Sequence, residues 1–219
     1  MDPNYAAPYT VLGSAHLVDV WFNWGKSIQH SIEQAIAAVE KAITLDPLSD
    51  LPNAVLGHLF LVQRQFDDAV AAGEKAIALN PNGDLNMVLL AMTLYHIRRY
   101  EEAIILFKKA QRLNPDCPAW YLHNAGITYL HMERWDEAIA ECKRALKKNP
   151  DHFPALTTMA SVYGLSGQLN EGRKVVSQIL KINPNDVVEN KGKGYKYKAD
   201  GERFRDGLRK VGYPEKAAP

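Results

Sequence analysis

Small and large apolar positions recur along this chain with a period close to 34. Five Asp/Asn-Pro pairs close the recurring segment, at Asp46-Pro47, Asn80-Pro81, Asn114-Pro115, Asn149-Pro150 and Asn183-Pro184. Their prolines stand 34, 34, 35 and 34 residues apart. Twelve residues before each proline lies a small residue: Ala35, Ala69, Ala103, Ala138 or Gly172. Three residues earlier comes a large apolar one: Ile32, Phe66, Tyr100, Trp135 or Leu169. Five residues before the proline stands Ala42, Ala76, Ala110 or Ala145, with Ile179 breaking the series. Spacings of three and seven place these residues on one face of a helix. The residue before a proline is pushed out of the helical region, so each pair ends its helix.

A second helix precedes each of these. Its pattern reads Asn53, Leu56, Gly57, Phe60; then Met87, Leu90, Ala91, Leu94; then Leu122, Ala125, Gly126, Tyr129; then Leu156, Met159, Ala160, Tyr163. Pro8, Pro52, Pro118 and Pro154 fall in the first turns of these helices, where a missing N–H costs little. A fixed period of this length signals stacked units. Small residues let neighbouring helices approach, and large ones fill the holes between them.

These five registered copies resemble the tetratricopeptide repeat (TPR), a 34-residue helical hairpin with a first helix A and a second helix B. The resemblance implies an all-α, right-handed solenoid of five hairpins with a C-terminal capping helix. Repeat boundaries are expected near 4–47, 48–81, 82–115, 116–150 and 151–184, then a basic linker at 185–199 and the capping helix at 200–212. A lone hairpin cannot bury its apolar face, so stability comes from stacking.

Repeat one departs from the pattern. It matches at Tyr9, Leu12, Gly13 and His16, but Gly13 to Ala35 spans 22 residues where Gly57 to Ala69 spans 12. Ten extra residues, around Trp21-Phe22-Asn23-Trp24, either lengthen helix A or form a protruding loop. Their three aromatics form a cap over the first repeat or a contact for a partner. With the Asn-Tyr-Ala opening, Pro118-Ala119-Trp120-Tyr121 and the ending from Arg203 to Glu215, the insertion resembles the C-terminal TPR regions of bacterial class III adenylate/guanylate cyclases. That resemblance implies a regulatory or oligomerising appendage of a catalytic domain, none of which is present in this sequence.

After Pro184 the repeat stops. Phe204, Leu208 and Val211 recur at four and three, marking one helical stripe, with Asp200 placed to cap its start and Gly212 and Pro214 to end it. The stripe suits a helix laid over the exposed edge of repeat five. Lys191, Lys193, Lys196 and Lys198 interleave with Tyr195 and Tyr197, a composition that can also meet phosphates or bases. From Asn185 onward nine basic residues face six acidic ones, a modest local balance. A solvated strap fits better than nucleic-acid or membrane binding.

Composition changes little. Twenty-six basic and 25 acidic side chains leave a charge of +1 over 219 residues, which gives no argument for nucleic acid or acidic membrane as partner. No apolar run approaches the ~18–20 residues of a spanning helix, and the N-terminus has no signal-like region. Cys117, in a turn and expected to be exposed, and Cys142, expected to be buried, have neither metal nor disulfide spacing. A reducing, cytoplasmic setting fits two free thiols. Seven scattered histidines form no ligand set, and no nucleophile elbow, phosphate loop or zinc motif occurs. No enzyme, cofactor, metal or small-molecule substrate is expected.

In stacked TPR hairpins the A helices line the concave face. Their second stripe here runs Thr10, Ser14, Leu17; Leu51, Ala54, His58, Leu61; Leu85, Val88, Met92, Tyr95 beside His96; Trp120, His123, Ile127, Leu130 flanked by Asn124 and His131; and Thr157 and Ser161. It has no Lys, Arg, Asp or Glu. The expected partner-binding groove is therefore apolar and aromatic, built from His58, Leu61, Val88, Met92, Tyr95, His96, Trp120, His123, Asn124, Ile127, His131, Thr157 and Ser161. Such a surface suits a peptide or protein partner with apolar anchors, or the chain's own tail or a second copy. TPR domains that grip acidic chaperone tails use a Lys/Asn/Arg clamp, of which only Asn124 is present, so that partner class is disfavoured.

Overall fold

The computed structural model describes residues 4–22, 24–25, 27–193 and 195–216. Among them every regular element is helical. Five hairpins follow one another: α1 (Ala6–Phe22) with α2 (Ile28–Leu45), α3 (Asp50–Val62) with α4 (Phe66–Leu79), α5 (Asp84–His96) with α6 (Tyr100–Leu113), α7 (Ala119–His131) with α8 (Trp135–Lys148), and α9 (Phe153–Leu165) with α10 (Leu169–Ile182). A 3-10 turn at Val188–Asn190 then leads to α11 (Lys198–Lys210). The chain falls into two compact units, Met1–Leu94 and Tyr95–Pro219.

The Asp/Asn-Pro pairs end their helices by a shared device. Asp46, Asn80, Asn114, Asn149 and Asn183 have φ between -127 and -140° with positive ψ, and each N–H still donates to the carbonyl four residues back. The side-chain oxygens of Asp46, Asn80, Asn149 and Asn183 then accept from the N–H two residues on, at 3.2–3.3 Å. This Asx turn is why the residue before the proline is Asp or Asn. The hairpin turn has its own signature. Arg64, Arg98, Glu133 and Gly167 occupy equivalent positions, and all have φ between 59 and 79°.

The ten extra residues of repeat one lengthen helix A, as one expectation had it, and also lengthen helix B, which neither expectation named. Helix α1 has 17 residues against 13 in α3, and α2 has 18 against 14 in α4. Each helix gains about one turn, and two residues lengthen the loop. Ser27 caps α2, its hydroxyl accepting from the His30 N–H.

In the first unit α1 packs on α2 and α3, and α3 on α4. Its core joins Leu17, Ala35, Val39, Val55 and Leu59, with Ile36, Leu51 and Leu56 packed against it. In the second unit α7 packs on α6, α8 and α9, and α9 also meets α8, α10 and α11. The small repeat residues Ala35, Ala42, Ala69, Ala76, Ala103, Ala110, Ala138 and Ala145 are all buried, as the packing logic requires.

Helix α11 closes repeat five. Phe204, Leu208 and Val211 are buried, and the Ser161 hydroxyl donates to the Phe204 carbonyl at 2.8 Å. A Cβ on Gly164 would lie 1.8 Å from the Gly207 carbonyl oxygen, so the two backbones touch. A Cβ on Gly172 would meet Val211 at 2.2 Å. Glycine thus replaces the repeat's alanine where α11, rather than a sixth hairpin, covers the array. Asp200 does not cap this helix as the sequence suggests. The helix starts at Lys198, and Asp200 turns to Arg98 instead. Cys117 also differs from expectation: it is 1% exposed, folded under the turn between α6 and α7, and burial raises its thiol pKa. Cys142 is buried as anticipated.

Candidate partner-binding groove

In the first unit the stripe centres on His58, on α3. It is buried, and its Nε2 accepts from the Trp21 indole N–H at 2.9 Å, the rings meeting edge-on at 5.2 Å. Burial pushes its pKa down to about 4, so the neutral ring is held. Trp21, from the end of α1, therefore covers His58, while Trp24 is 71% exposed. Within the aromatic insertion one ring thus covers a stripe residue and one faces solvent. Leu61 and Val88 are buried and Met92 is half-buried, packed with Leu85 against Ala54, Ala76 and Leu89.

In the second unit the stripe meets the chain's own C-terminal segment. Tyr195 is 8% exposed. Its ring lies 6.4 Å from Tyr95, 5.7 Å from His96 and 4.8 Å, edge-on, from His131. Tyr95 and His96 stack on each other at 4.2 Å, and Tyr100 stacks on the far face of this cluster against His131 at 5.7 Å. Tyr195 and Tyr95 both have raised pKa values from burial, and His131 is pushed down to about 4 by the same cause.

Beside this box Asp200 accepts from Arg98 Nε at 3.0 Å and from Nη2 at 2.8 Å, a bidentate pair, with the Tyr100 hydroxyl at 3.4 Å. The Arg98 guanidinium also lies 4.2 Å over the Tyr197 ring. Further along, Ser161 holds the Phe204 carbonyl, and Thr157 donates to the Phe153 carbonyl at 2.9 Å. Tyr213 donates to Asp186, which pairs with Lys191 at 2.7 Å. Lys191 in turn sits 4.6 Å over Phe153.

The stripe on α7 divides in two. Asn124 is buried, and its amide donates back to the Trp120 carbonyl at 2.8 Å, so it is spent inside its own helix rather than offered to a partner. Ile127 is buried. Trp120 is half-buried and sits edge-on to Tyr121 at 4.4 Å. His123 Nε2 lies 3.2 Å from the Thr158 hydroxyl, and burial, aided by His152 nearby, pushes its pKa down to about 3. Trp120, Cys117, Lys148 and His152 border one open hollow of about 490 Å³.

The sequence stripe thus contains the box residues Tyr95, His96 and His131, and the chain's own tail is among the occupants expected for it, though Tyr195 is not singled out as the residue that enters. Tyr195 carried a signal, being an aromatic in a lysine-rich strap, but that signal points to phosphates as readily as to a groove. Arg98 and Asp200 carried none, because nothing in a turn arginine announces a partner 102 residues away. Among the described residues no group of three or more His, Cys, Asp or Glu is placed to hold a metal ion. No helix among them is long and apolar enough to cross a membrane.

Comparison with known proteins agrees with this geometry. Residues 129–189 match the family model for the tetratricopeptide repeat, and residues 62–145 match the model for subunit 3 of the anaphase-promoting complex, or cyclosome. No curated protein sequence matches the chain. Among solved structures, PilW, a type IV pilus biogenesis factor, superposes with a TM-score of 0.72 at 19% identity, covering 92% of this chain and 90% of its own. PilF of Pseudomonas aeruginosa gives 0.69 at 20% identity over 94% and 88%. YrrB, a TPR protein with an unusual peptide-binding site, gives 0.58 at 21% over 80% and 90%. At such identities the likeness concerns the fold alone. Nothing among these matches links the chain to nucleotide cyclases. Five hairpins at a 34-residue period, a C-terminal helix on the last of them and these matches make the fold an all-α solenoid of tetratricopeptide-type hairpins, with residues 129–189 matching that repeat family itself.

Proposed function

We propose that this chain is a non-catalytic interaction scaffold that holds a peptide or protein partner on the A-helix stripe. One observation carries the reading: the second-unit stripe, free of Lys, Arg, Asp and Glu, already holds a polypeptide segment, the chain's own, through an aromatic box, with the bidentate Arg98–Asp200 pair off the stripe beside it. A surface of this chemistry recognises extended or helical segments by apolar anchors, with few polar groups fixing orientation. Its less buried portion is Trp120 and His123, both half-buried. The two thiols are free and buried, which suits a reducing, cytoplasmic setting.

Affinity capture from a lysate of the source organism tests the reading, with wild type beside the Trp120→Ala/His123→Ala variant. Retention of a protein by wild type alone is the expected outcome. Identical sets of bound proteins on both would remove the stripe as the docking surface.

A further inference from the structure

The C-terminal segment is held in two quite different ways. Helix α11 is fixed at backbone level: Gly164 and Gly207 touch, Ser161 bonds the Phe204 carbonyl, and Phe204, Leu208 and Val211 are buried. The stretch just before it touches α11 at backbone level only at Gly192, against Gly201, with Arg205 donating to the Lys191 carbonyl at 2.6 Å, and from Tyr195 on its side chains make the contacts. Tyr195 enters the box, while Lys193 and Tyr197 on either side are exposed. The Tyr195 ring fills a site whose walls come from three helices: α5 supplies Tyr95 and His96, α6 Tyr100 and α7 His131. One wall is not fully satisfied. His131 is 7% exposed, and its Nε2 has no hydrogen-bond partner among the described residues. A buried ring nitrogen left so is costly, and with the proton on Nδ1 it is an unused acceptor in a wall of the box.

We propose that this box is a docking pocket for an aromatic anchor of a protein partner, a tyrosine or tryptophan ring whose O–H or N–H reaches His131, and that Tyr195 is its tethered competitor. The inference rests on the reading of the chain as an interaction scaffold. The chain's own occupant identifies the chemistry: an aromatic ring on an extended segment fits, since one is there. Tethering makes Tyr195 a strong competitor through effective concentration, and a partner's apparent affinity is reduced by the fraction of molecules in which the box stands open. Helix α11 and the Asp200–Arg98 pair stay in place when Tyr195 leaves, so that opening the pocket does not uncover repeat five.

The probe is a fluorescein-labelled peptide with the sequence of residues 189–199, and its control carries Tyr195→Ala. Both are titrated by fluorescence anisotropy into the full-length wild type and the full-length Tyr195→Ala protein. With Tyr195 removed, the tyrosine peptide binds at least ~10-fold more tightly than to wild type, as expected for a box open in a tenth of molecules or fewer. The control peptide binds both proteins weakly and equally. Equal affinity of the tyrosine peptide for the two proteins overturns the competition. No binding to a variant whose helicity and tryptic protection of α11 match wild type overturns the pocket.

If the variant loses protection of α11, hydrogen exchange on the wild type decides. Amides of Tyr195, Lys196 and Tyr197 should exchange at least ~10-fold faster than those of Leu208, Arg209 and Lys210, and matching rates overturn the proposal. Lysate proteins captured equally by wild type and Tyr195→Ala defeat this inference and leave the scaffold reading standing. An absence of any captured protein on either defeats the scaffold reading, and the proposal with it.

Discussion

Arg64, Arg98, Glu133 and Gly167 stand at one place in successive hairpins, just past helix A, with left-handed backbone. There the N–H of the next residue reaches back five positions: Gln65 to Phe60, Arg134 to Tyr129 and Gln168 to Tyr163, at 2.8–3.0 Å. This closure satisfies the last helix carbonyls. Glycine adopts it freely, while a residue with a Cβ loses about 1–2 kcal/mol. Only Gly167 follows that preference, which is why the pattern of apolar spacing marks each turn without marking its conformation. Arg98 has a use for its side chain, the pair with Asp200. The Arg64 guanidinium lies 5.7 Å from the centre of the Phe66 ring, and its side chain is exposed. Arg64→Gly is therefore expected to raise stability by about 0.5–1 kcal/mol, less than the full strain because glycine gains freedom in the unfolded chain. Gly167→Ala should lower it by a similar amount. Urea denaturation checks both, and a destabilised Arg64→Gly would show that the arginine side chain outweighs the strain.

At the scale of elements, helix α11 depends on space left by missing side chains. Gly164 and Gly207 allow its backbone to touch α9, and Gly172 admits Val211. Gly164→Ala places a methyl 1.8 Å from a carbonyl oxygen that no rotamer change can move. We expect α11 to be displaced, with a loss of about 1–3 kcal/mol or more. Trypsin should then cut at Arg203, Arg205 and Arg209 well before the array itself is digested. Unchanged cleavage and melting would show that the contact is not what holds the helix. The hairpins themselves were legible from Ala, Gly, aromatic and proline spacing, because those types answer to local packing and local backbone preference. The apolar stripe Phe204, Leu208, Val211 likewise foretold a covering helix. Which surface the preceding strap crosses was not legible. Tyr195 and Asp200 find His131 and Arg98 through three-dimensional closeness, and no period relates them. Asp200 read as a helix cap for the same reason, since local rules see only neighbours in sequence.

Across the whole molecule, the buried histidines couple folding to pH. His58, His123 and His131 have folded pKa values pushed down from 6.5 to about 4, about 3 and about 4 respectively, each chiefly because burial penalises the charged ring. Each stays neutral in the folded chain at a pH where the unfolded chain has taken up its proton. The unfolded state therefore binds more protons between these values, and stability rises with pH across the window. The contribution is complete above about 6.5 and is lost progressively as pH falls toward 4. Each histidine adds up to about 1.4 kcal/mol per pH unit within that window. The paired carboxylates act lower. Glu102 and Glu137 are held below their usual range first by hydrogen bonds from Arg99 and Arg134, so their effect begins only as pH falls below ~4.5. Calorimetry at pH 7.5, 6.5, 5.5 and 4.5 should give nearly constant Tm between the first two and a steepening fall thereafter. His58→Gln keeps an acceptor for Trp21 without a titrating ring, and His131→Phe keeps the stacking on Tyr100 and the edge-on contact with Tyr195. The double variant should flatten the profile between 6.5 and 4.5 even where its absolute Tm is lower. An unaltered slope would mean that these rings are protonated, or reached by water, in the folded protein, and that acid sensitivity arises elsewhere.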